Sequence, residues 1–281
     1  MTSGPADLDA ADLARIALEV AREAAALVRG RKAGGVTVAD TKTSVVDVVT
    51  EADRASEELI RRRLLEHRPD DAILGEEGSD RPGTTGVRWV VDPIDGTVNF
   101  LYGIPQYAVS IAAELTTPDG VEVVAGVVLN AATGTEYVAH IRPDGSATAT
   151  RDGAAIGVRG PAPLAQRLVG TGFSYDAGLR EIQARALVDL LPRIRDIRRL
   201  GACALDLCGV AEGSLDGYVE EGVNLWDHAA GGLVARAAGA TTELTTGAGG
   251  RDLLLCAPTH GFEEFREAVR TAGFLARSRV K

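Results

Sequence analysis

The stretch W-V-V-D-P-I-D-G-T-V-N-F at residues 89–100 constrains the fold more than any other part of the chain. Its apolar residues surround two carboxylates, Asp92 and Asp95, which predicts a buried strand that carries acidic groups to its own end. Pro93 fixes its own φ and pushes Asp92 out of the α region, so the two aspartates cannot be neighbours on a helix. We therefore expect them to converge where the strand bends.

Two carboxylates at the end of a buried strand repel each other unless a cation or a shared proton takes up their charge. Mg²⁺ prefers oxygen ligands and uses one or two carboxylates together with water and substrate phosphate. Gly96 and Thr97 follow directly, where backbone N–H groups can open a short helix and point at an anion. The pattern favours adjoining metal and phosphate sites, and a surface turn built from Asp, Pro and Gly is the alternative.

Composition narrows the class of protein. With 281 residues, of which 45% are hydrophobic and 25% charged, the chain can form two halves around a large core. A net charge of −10 and a pI of about 5.0 argue against nucleic acid or an anionic membrane as a constitutive partner. We expect a cytoplasmic protein, because the N-terminus does not resemble a signal peptide and no apolar run reaches the length of a membrane span.

The few cysteines and histidines point away from redox and zinc chemistry. The three cysteines show no C-x-x-C spacing and stand among alanines and leucines, which is typical of small buried thiols in a reducing compartment. The four histidines are dispersed along the chain and form no H-x-x-x-H pair, so a zinc site is disfavoured.

The first half combines helices with a sheet. Helical periodicity predicts an amphipathic helix over residues 9–31, and the T-E-A-D capping box at residues 50–53 predicts a second one that reaches about His67. A brief strand at residues 72–74 ends in G-E-E-G. Alternating patterns then predict antiparallel strands over residues 107–115, 121–130 and 135–140.

The second half alternates strands with helices. Strands are predicted over residues 167–171, 194–200, 215–220, 241–244 and 253–257. Helices are predicted over residues 177–191, 202–212, 226–238 and 262–271. This order favours a mixed sheet covered by helices. Because residues 142–163 are rich in Gly, Pro, Asp and Arg, we predict an N-terminal half at 1–160, which carries most of the candidate metal ligands, and a C-terminal half at 161–281.

Acidic side chains recur at the ends of these elements: Asp53, Glu76 with Glu77, Asp92 with Asp95, and Asp227. Their apolar or glycine neighbours suggest partial burial, and buried unpaired carboxylates are costly, so the set points to a shared polyvalent cation. Asp53 and Asp227 also have a purely structural interpretation as helix caps.

Several motifs together resemble the inositol monophosphatase family of Mg²⁺-dependent, lithium-sensitive phosphatases. G-E-E at residues 75–77, D-P-I-D-G-T-V-N-F from Asp92 and W-D-H-A-A-G-G from Trp226 are similar to its three signatures, in its order and roughly at its spacing. The upstream K-T-S-V-V-D-V-V-T-E-A-D is similar to its N-terminal element. The resemblance implies an α+β fold, a layered αβαβα sandwich with an antiparallel sheet in the N-terminal half and a mixed sheet in the C-terminal half.

The resemblance also implies a metal centre of two to three Mg²⁺ ions. The implied ligands are Glu76, Asp92 and the Ile94 carbonyl for the first ion, and Asp92, Asp95 and Asp227 for the second. A third, weaker ion is expected near Glu76, with Asp53 in its outer coordination shell. Gly96 and Thr97 would bind phosphate through their N–H groups, and the Thr97 hydroxyl would orient the attacking water with Glu76 or Asp53.

For the substrate, the resemblance implies that Glu220 accepts sugar hydroxyls, with further contacts from Asp95 and the backbone of Ala202 and Cys203. Such carboxylates suit inositol 1-phosphate or a closely related polyol phosphate. Histidinol phosphate, fructose 1,6-bisphosphate and 3′-phosphoadenosine phosphates are the competing substrates. The alternative for Glu220 is a solvated charge pair with Glu221.

Other residues have simpler interpretations. A bisphosphate enzyme would need basic residues facing the site, but we expect the cluster Arg193, Arg195, Arg198 and Arg199 to face solvent or a subunit partner. Trp226 is expected in the core, and Lys42 and Asp47 are expected to play structural or supporting roles. The resemblance implies a homodimer, and a regulatory homologue that binds a partner protein is a hypothesis of another class.

Overall fold

The structure, a computed structural model, describes residues 9–33, 38–41 and 48–276. Its helices are α1 (Ala10–Ala33), α2 (Glu51–His67), α3 (Thr97–Tyr102), α4 (Ala177–Leu190), α5 (Cys203–Ala211), α6 (Leu225–Ala237) and α7 (Phe262–Ala272). Lys42 and Asp47 lie outside the described residues. None of the helices in the described ranges is long and apolar enough to cross a membrane.

Fourteen strands accompany these helices in the described ranges. They are β1 (Val38–Thr41), β2 (Val48–Thr50), β3 (Ala72–Gly75), β4 (Val87–Asp95), β5 (Ala108–Thr117), β6 (Gly120–Asn130), β7 (Glu136–Ile141), β8 (Ala147–Arg151), β9 (Ala154–Ala155), β10 (Leu168–Thr171), β11 (Asp196–Arg198), β12 (Gly217–Glu221), β13 (Ala240–Thr246) and β14 (Asp252–Pro258). The predicted strand at residues 194–200 was too long, because only the three residues of β11 pair with β10.

The first large sheet has the order β3-β4-β5-β6-β7-β8-β9. From β4 onward each neighbouring pair is antiparallel, as predicted. The pair β3–β4 departs from that expectation because it is parallel, with Gly75 opposite Val91. The loop between the two strands returns the chain to the starting end of the sheet, so β3 and β4 end side by side.

The second large sheet has the order β11-β10-β12-β14-β13. Strand β10 is parallel to β11 and β12, whereas β14 is antiparallel to β12 and β13, so the sheet is mixed as predicted. The carboxyl ends of β10 and β12 therefore lie at one edge of the sheet.

Helices cover both sheets and lie between them, which confirms the layered αβαβα sandwich. Helices α1 and α2 pack on the outer face of the first sheet. Helices α5 and α6 fill the space between the sheets, and α7, with α4 packed against it, covers the outer face of the second. Successive residues of β4 alternate between these layers: Trp89 and Val91 face the outer helices, while Val90 faces the middle layer.

Candidate active site

The predicted acidic segments meet in one cavity of about 650 Å³ at the ends of the strands. Five of the acidic side chains that line it were candidates from the sequence: Glu76 after β3, Asp92 and Asp95 on β4, Glu220 on β12, and Asp227 on α6. The acidic pattern indicated four of these, and the family resemblance implied Glu220. Asp176 and Glu221 also line the cavity.

A β-bulge in β4 turns Asp92 and Asp95 toward the same layer. Asp92 lies opposite Ser110 and Asp95 opposite Ala108, so three residues of β4 match two residues of β5. In a regular strand, residues three apart face opposite sides of the sheet, and the extra residue reverses this. Both aspartates therefore face the middle helices, which confirms the predicted bend. Asp92 Oδ1 accepts the Ile94 N–H at 3.0 Å, which stabilises the bend.

The parallel pairing of β3 with β4 places Glu76 beside Asp92. The Glu76 N–H donates to the Val91 carbonyl at 3.2 Å, and the carboxyl groups of Glu76 and Asp92 lie within hydrogen-bonding distance of each other. Burial, together with the charges of Glu76, Asp95 and Asp227, holds the pKa of Asp92 well above its usual range. A shared proton or a bound cation would relieve this repulsion.

Asp95 is fixed by the first turn of α5. Its two oxygens accept the backbone N–H groups of Cys203, at 3.1 Å, and of Ala204, at 2.8 Å. Burial raises the pKa of Asp95 to about 7 despite these donors, and the charges of Glu220 and Glu76 add to the rise. The Cys203 N–H, predicted to contact substrate, is thus engaged by Asp95.

Asp227 both caps a helix and lines the cavity. It is the third residue of α6, and its Oδ2 accepts the Asn224 N–H at 2.6 Å in a capping box. The structural interpretation as a cap is therefore correct but incomplete. Burial holds the pKa of Asp227 well above its usual range, and the charges of Glu76 and Asp95 contribute.

Thr97 connects the cavity to the buried Asp53. The Thr97 hydroxyl lies 2.9 Å from Asp53 Oδ1 and 3.1 Å from the Ile94 carbonyl oxygen, so it can donate to either. Asp53 also accepts the Thr50 N–H at 2.9 Å, which completes the predicted capping box of α2. Asp53 is fully buried and fixes the position of the Thr97 hydroxyl through this hydrogen bond. Gly96 precedes α3 with φ 92°, a left-handed conformation that favours glycine.

The chemistry of this donor set fits a hard divalent cation. Carboxylate and carbonyl oxygens are the ligands that Mg²⁺ prefers, and burial with neighbouring negative charge raises the pKa values of Asp92, Asp95 and Asp227. In the described ranges no group of three or more His, Cys, Asp or Glu side chains forms a ready metal cage. The fit of this cavity to Mg²⁺ therefore rests on the clustering of its carboxylates and on the oxygen atoms that they offer as ligands.

Glu220 faces the cavity from the second sheet. Tyr218 donates a short hydrogen bond to its carboxylate, and burial raises the pKa of Glu220. A Cβ on Gly172 would lie 2.0 Å from that carboxylate, so glycine is required there for space. Glu221 is buried, which rules out the solvated pair of Glu220 and Glu221. Ala202 is buried beneath the cavity, and its carbonyl accepts the Asp206 N–H.

Sequence reasoning missed several lining residues. Residues 172–177, which follow β10, and Arg251 line the cavity. Arg199 is exposed to solvent, as expected, but it also lines the cavity. Arg195 and Arg198 do lie exposed. The signal that could have indicated residues 172–177 is their place directly after a predicted strand, in a half where strands alternate with helices. Arg199 carried no such signal.

Trp226 only partly follows its prediction. It packs against the middle core as expected, but it also lines the cavity. Its buried Nε1 has no hydrogen-bond partner in the part of the chain that the structure describes. The three cysteines are buried free thiols, as predicted.

Comparison with known proteins extends these findings. A model of the inositol monophosphatase family matches residues 9–270. The inositol-1-monophosphatase SuhB of Mycobacterium tuberculosis is 44% identical over 273 residues, which cover 92% of this chain and 93% of the relative. The solved structure of Mycobacterium tuberculosis SuhB has a TM-score of 0.79 and 41% identity, and covers 96% of this chain and 100% of that one.

A further relative carries a different name. The Nus factor SuhB of Pasteurella multocida is 36% identical over 226 residues, which cover 80% of this chain and 82% of the relative. The similarity thus spans most of each chain, whereas the names of the relatives describe different roles.

Proposed function

The chain belongs to the inositol monophosphatase family, and on that premise we propose that it is a Mg²⁺-dependent phosphomonoesterase acting on inositol 1-phosphate or a closely related polyol phosphate. One observation carries the proposal. Carboxylates from four separate elements line one cavity, and burial together with their mutual repulsion raises the pKa of Asp92, as expected of a site whose charge is balanced by bound cations.

In this proposal oxygens at the strand ends of the first sheet and on α6 would hold two ions. The ligands are Glu76, Asp92 and the Ile94 carbonyl for one ion, and Asp92, Asp95 and Asp227 for the other. A third ion would lie near Glu76, with Asp53 in its outer shell. When bound, Mg²⁺ supplies a more acidic water and stabilises the negative charge of the phosphate and of the leaving oxygen.

The protein then positions the reactants. The Thr97 hydroxyl donates to Asp53, so its oxygen is free to accept a hydrogen bond from the attacking water and orient it. Glu76, which lines the same cavity, would help to orient that water and would take its proton. The N–H groups of Gly96 and Thr97 at the start of α3 bind the phosphate oxygens. The buried Asp53 accepts the Thr97 hydroxyl at Oδ1, and its Oδ2 is held by the Thr50 N–H.

Glu220 is proposed to select the substrate by accepting hydroxyl groups of the polyol. Its carboxylate lines the cavity and is oriented by Tyr218. Asp95 lines the same cavity and would make a further contact with the polyol. The three buried free thiols are typical of a reducing compartment and support a cytoplasmic enzyme. Family resemblance further suggests inhibition by lithium.

A second candidate is a sugar bisphosphatase. Arg199 and Arg251 both line the cavity, and guanidinium groups bind phosphate well. Hydrolysis of fructose 1,6-bisphosphate that is lost in Arg199→Gln, with inositol 1-phosphate hydrolysis retained, would favour this candidate.

We also propose that the protein forms a homodimer through an exposed apolar patch made of Tyr102, Ile104 and Leu200. Their side chains are 76%, 48% and 37% exposed. Asn99 joins them, because its carbonyl accepts the Ile104 N–H and its side chain donates to the Leu200 carbonyl. Apolar patches of this kind mark contact sites. Light scattering should give a dimer for the wild type and a monomer for Ile104→Lys.

The function is tested by phosphate release from a panel of monoesters and bisphosphates, with and without Mg²⁺. Asp92→Asn removes a shared ligand, and Asp119→Asn is the matched control, because Asp119 is exposed in a turn. We expect Mg²⁺-dependent release by the wild type and the control but not by Asp92→Asn. If no substrate turns over while a partner protein co-purifies, the regulatory homologue is the better account.

A further inference from the structure

Helix α2 turns three buried polar side chains toward the strand ends that carry the acidic groups. Asp53, Ser56 and Glu57 are spaced i, i+3 and i+4, so they share one face of the helix. Asp53 accepts from Thr97, and the Ser56 hydroxyl donates to the Pro93 carbonyl at 3.1 Å. Glu57 reaches a third segment, the loop that follows β3.

The Glu57 side chain binds the backbone of this loop. Its carboxylate accepts the N–H of Glu77 at 2.7 Å and the N–H of Gly78 at 2.8 Å. Arg61, one turn further along α2, donates to the same carboxylate at 3.2 Å and to the Ser79 carbonyl at 2.6 Å. The negative charge of Glu57 is thus balanced by Arg61, and Glu57 does not line the cavity.

Two glycines leave room for this carboxylate. A Cβ on Gly75 would lie 2.4 Å from Glu57 Oε1, and a Cβ on Gly78 would lie 2.6 Å from the same atom. Neither glycine has a positive φ, so the need is for space and not for backbone freedom. The spacing of G-E-E-G therefore has a physical reason: both glycines face Glu57, and Glu76 stands between them.

We propose that Glu57 is a positioning residue that fixes Glu76 for metal binding. The Glu76 backbone is held on one side by its hydrogen bond to Val91 and on the other by the bonds of Glu57 to the next two N–H groups. The side chain of Glu76 is thereby directed at Asp92 before any ion arrives. Glu57 does not itself contact the ion. The inference rests on the proposed role of Glu76 as a Mg²⁺ ligand.

The test is a calorimetric titration of Mg²⁺ into the metal-free full-length protein. In Glu57→Gln, the amide replaces one of two acceptor oxygens with a donor, so one loop N–H loses its partner. We expect Mg²⁺ affinity to fall about 10- to 100-fold, as is typical when a group that orients a metal ligand is removed. The exposed neighbour Glu58 supplies the matched control, Glu58→Gln, which should bind as the wild type does.

A second variant disturbs the same contact without changing Glu57. In Gly78→Ala, the new methyl group displaces the carboxylate, and the same loss of affinity is expected. Gly160→Ala is its control, because a Cβ there meets no atom within 4 Å. The KM for inositol 1-phosphate at saturating Mg²⁺ should stay unchanged in all four variants, which distinguishes an ion-binding defect from general damage to the fold.

The outcomes separate the inference from the proposed function. Wild-type affinity in a folded Glu57→Gln or Gly78→Ala would overturn the role of Glu57 alone, as would an equal loss in Glu58→Gln. If Glu57→Gln does not fold, Gly78→Ala decides. If the wild-type protein itself binds no Mg²⁺, the proposed function fails, and the role of Glu57 fails with it.

Discussion

Two walls of the cavity are built in different ways. The acidic wall consists of Glu76, Asp92, Asp95, Thr97 and Asp227, and the distal wall consists of residues 172–177, Arg199, Glu220 and Arg251. Carboxylates of the acidic wall accept backbone N–H groups from the strand or helix that carries them or from a neighbouring helix. The distal wall has mixed charge and is held mainly by side chains.

Gln183 on α4 shows how the distal wall is held. Its Oε1 accepts the Ser174 N–H at 2.9 Å, and its Nε2 donates to the Glu221 carbonyl at 3.1 Å. One buried amide thus joins the loop after β10 to the end of β12. The contrast teaches that the carboxylates proposed to bind ions are fixed by backbone donors, whereas the segments that would contact the polyol are joined by a side chain.

Asp92→Asn should have the largest effect. Loss of a ligand shared by two ions removes several kcal/mol of charge stabilisation, so we expect activity to fall roughly 10³-fold. The metal-free variant should be more stable than the wild type, because a buried charge has been removed. Activity assays and chemical denaturation measure the two effects. A metal-free variant that is less stable than the metal-free wild type would contradict the claim that clustered carboxylates destabilise the metal-free protein.

Glu220→Gln should affect substrate choice and leave ion binding intact. A hydrogen bond to a charged acceptor contributes about 1.5–3 kcal/mol, so kcat/KM for inositol 1-phosphate should fall roughly 10- to 100-fold. Activity on p-nitrophenyl phosphate, which lacks the ring hydroxyls, should stay the same. The exposed Glu181 gives the control Glu181→Gln. An equal loss of activity on both substrates would show that Glu220 serves catalysis or ion binding and not substrate choice.

Gln183→Leu should loosen the distal wall alone. Two neutral hydrogen bonds are lost, so KM should rise roughly tenfold with little change in kcat. Mg²⁺ affinity should remain that of the wild type. Gln166→Leu is the control, because that residue is exposed. A Mg²⁺ affinity that falls together with the rise in KM would show that the two walls are coupled.

The smallest effect concerns pH and stability in the absence of metal. The folded protein raises the pKa of Asp95 from 3.8 to about 7, so between these values the folded state binds more protons than the unfolded state. Unfolding free energy of the metal-free protein should therefore fall as pH rises through this range. Saturating Mg²⁺ should abolish or reverse the trend, since it replaces the protons. Denaturation curves at several pH values measure this, and stability that rises with pH without metal would be the contrary result.

The acidic wall was predictable because its parts are local. Strand ends followed by glycine marked Glu76, Asp92 and Asp95, and a capping pattern marked Asp53 and Asp227. The layered fold followed from the order of elements. The parallel pairing of β3 with β4 was missed, since periodicity reports which face of a strand is buried and says nothing about its direction.

The distal wall was harder to predict because it depends on contacts between distant residues. The predicted strand at residues 194–200 stops at Arg198, where the chain leaves the sheet and Arg199 reaches the cavity. The Leu200 carbonyl accepts a hydrogen bond from Asn99, about a hundred positions earlier. No local pattern indicates such a contact, and none indicates that Gln183 joins two segments.

The most direct test of the central claim is the anomalous diffraction of Mn²⁺, used as a substitute for Mg²⁺, in crystals of the wild-type protein. We predict peaks in the cavity at about 2 Å from carboxylate oxygens, with one peak shared by Glu76 and Asp92 and another by Asp92, Asp95 and Asp227. Peaks confined to the surface, or a cavity without any peak at saturating Mn²⁺, would contradict the account.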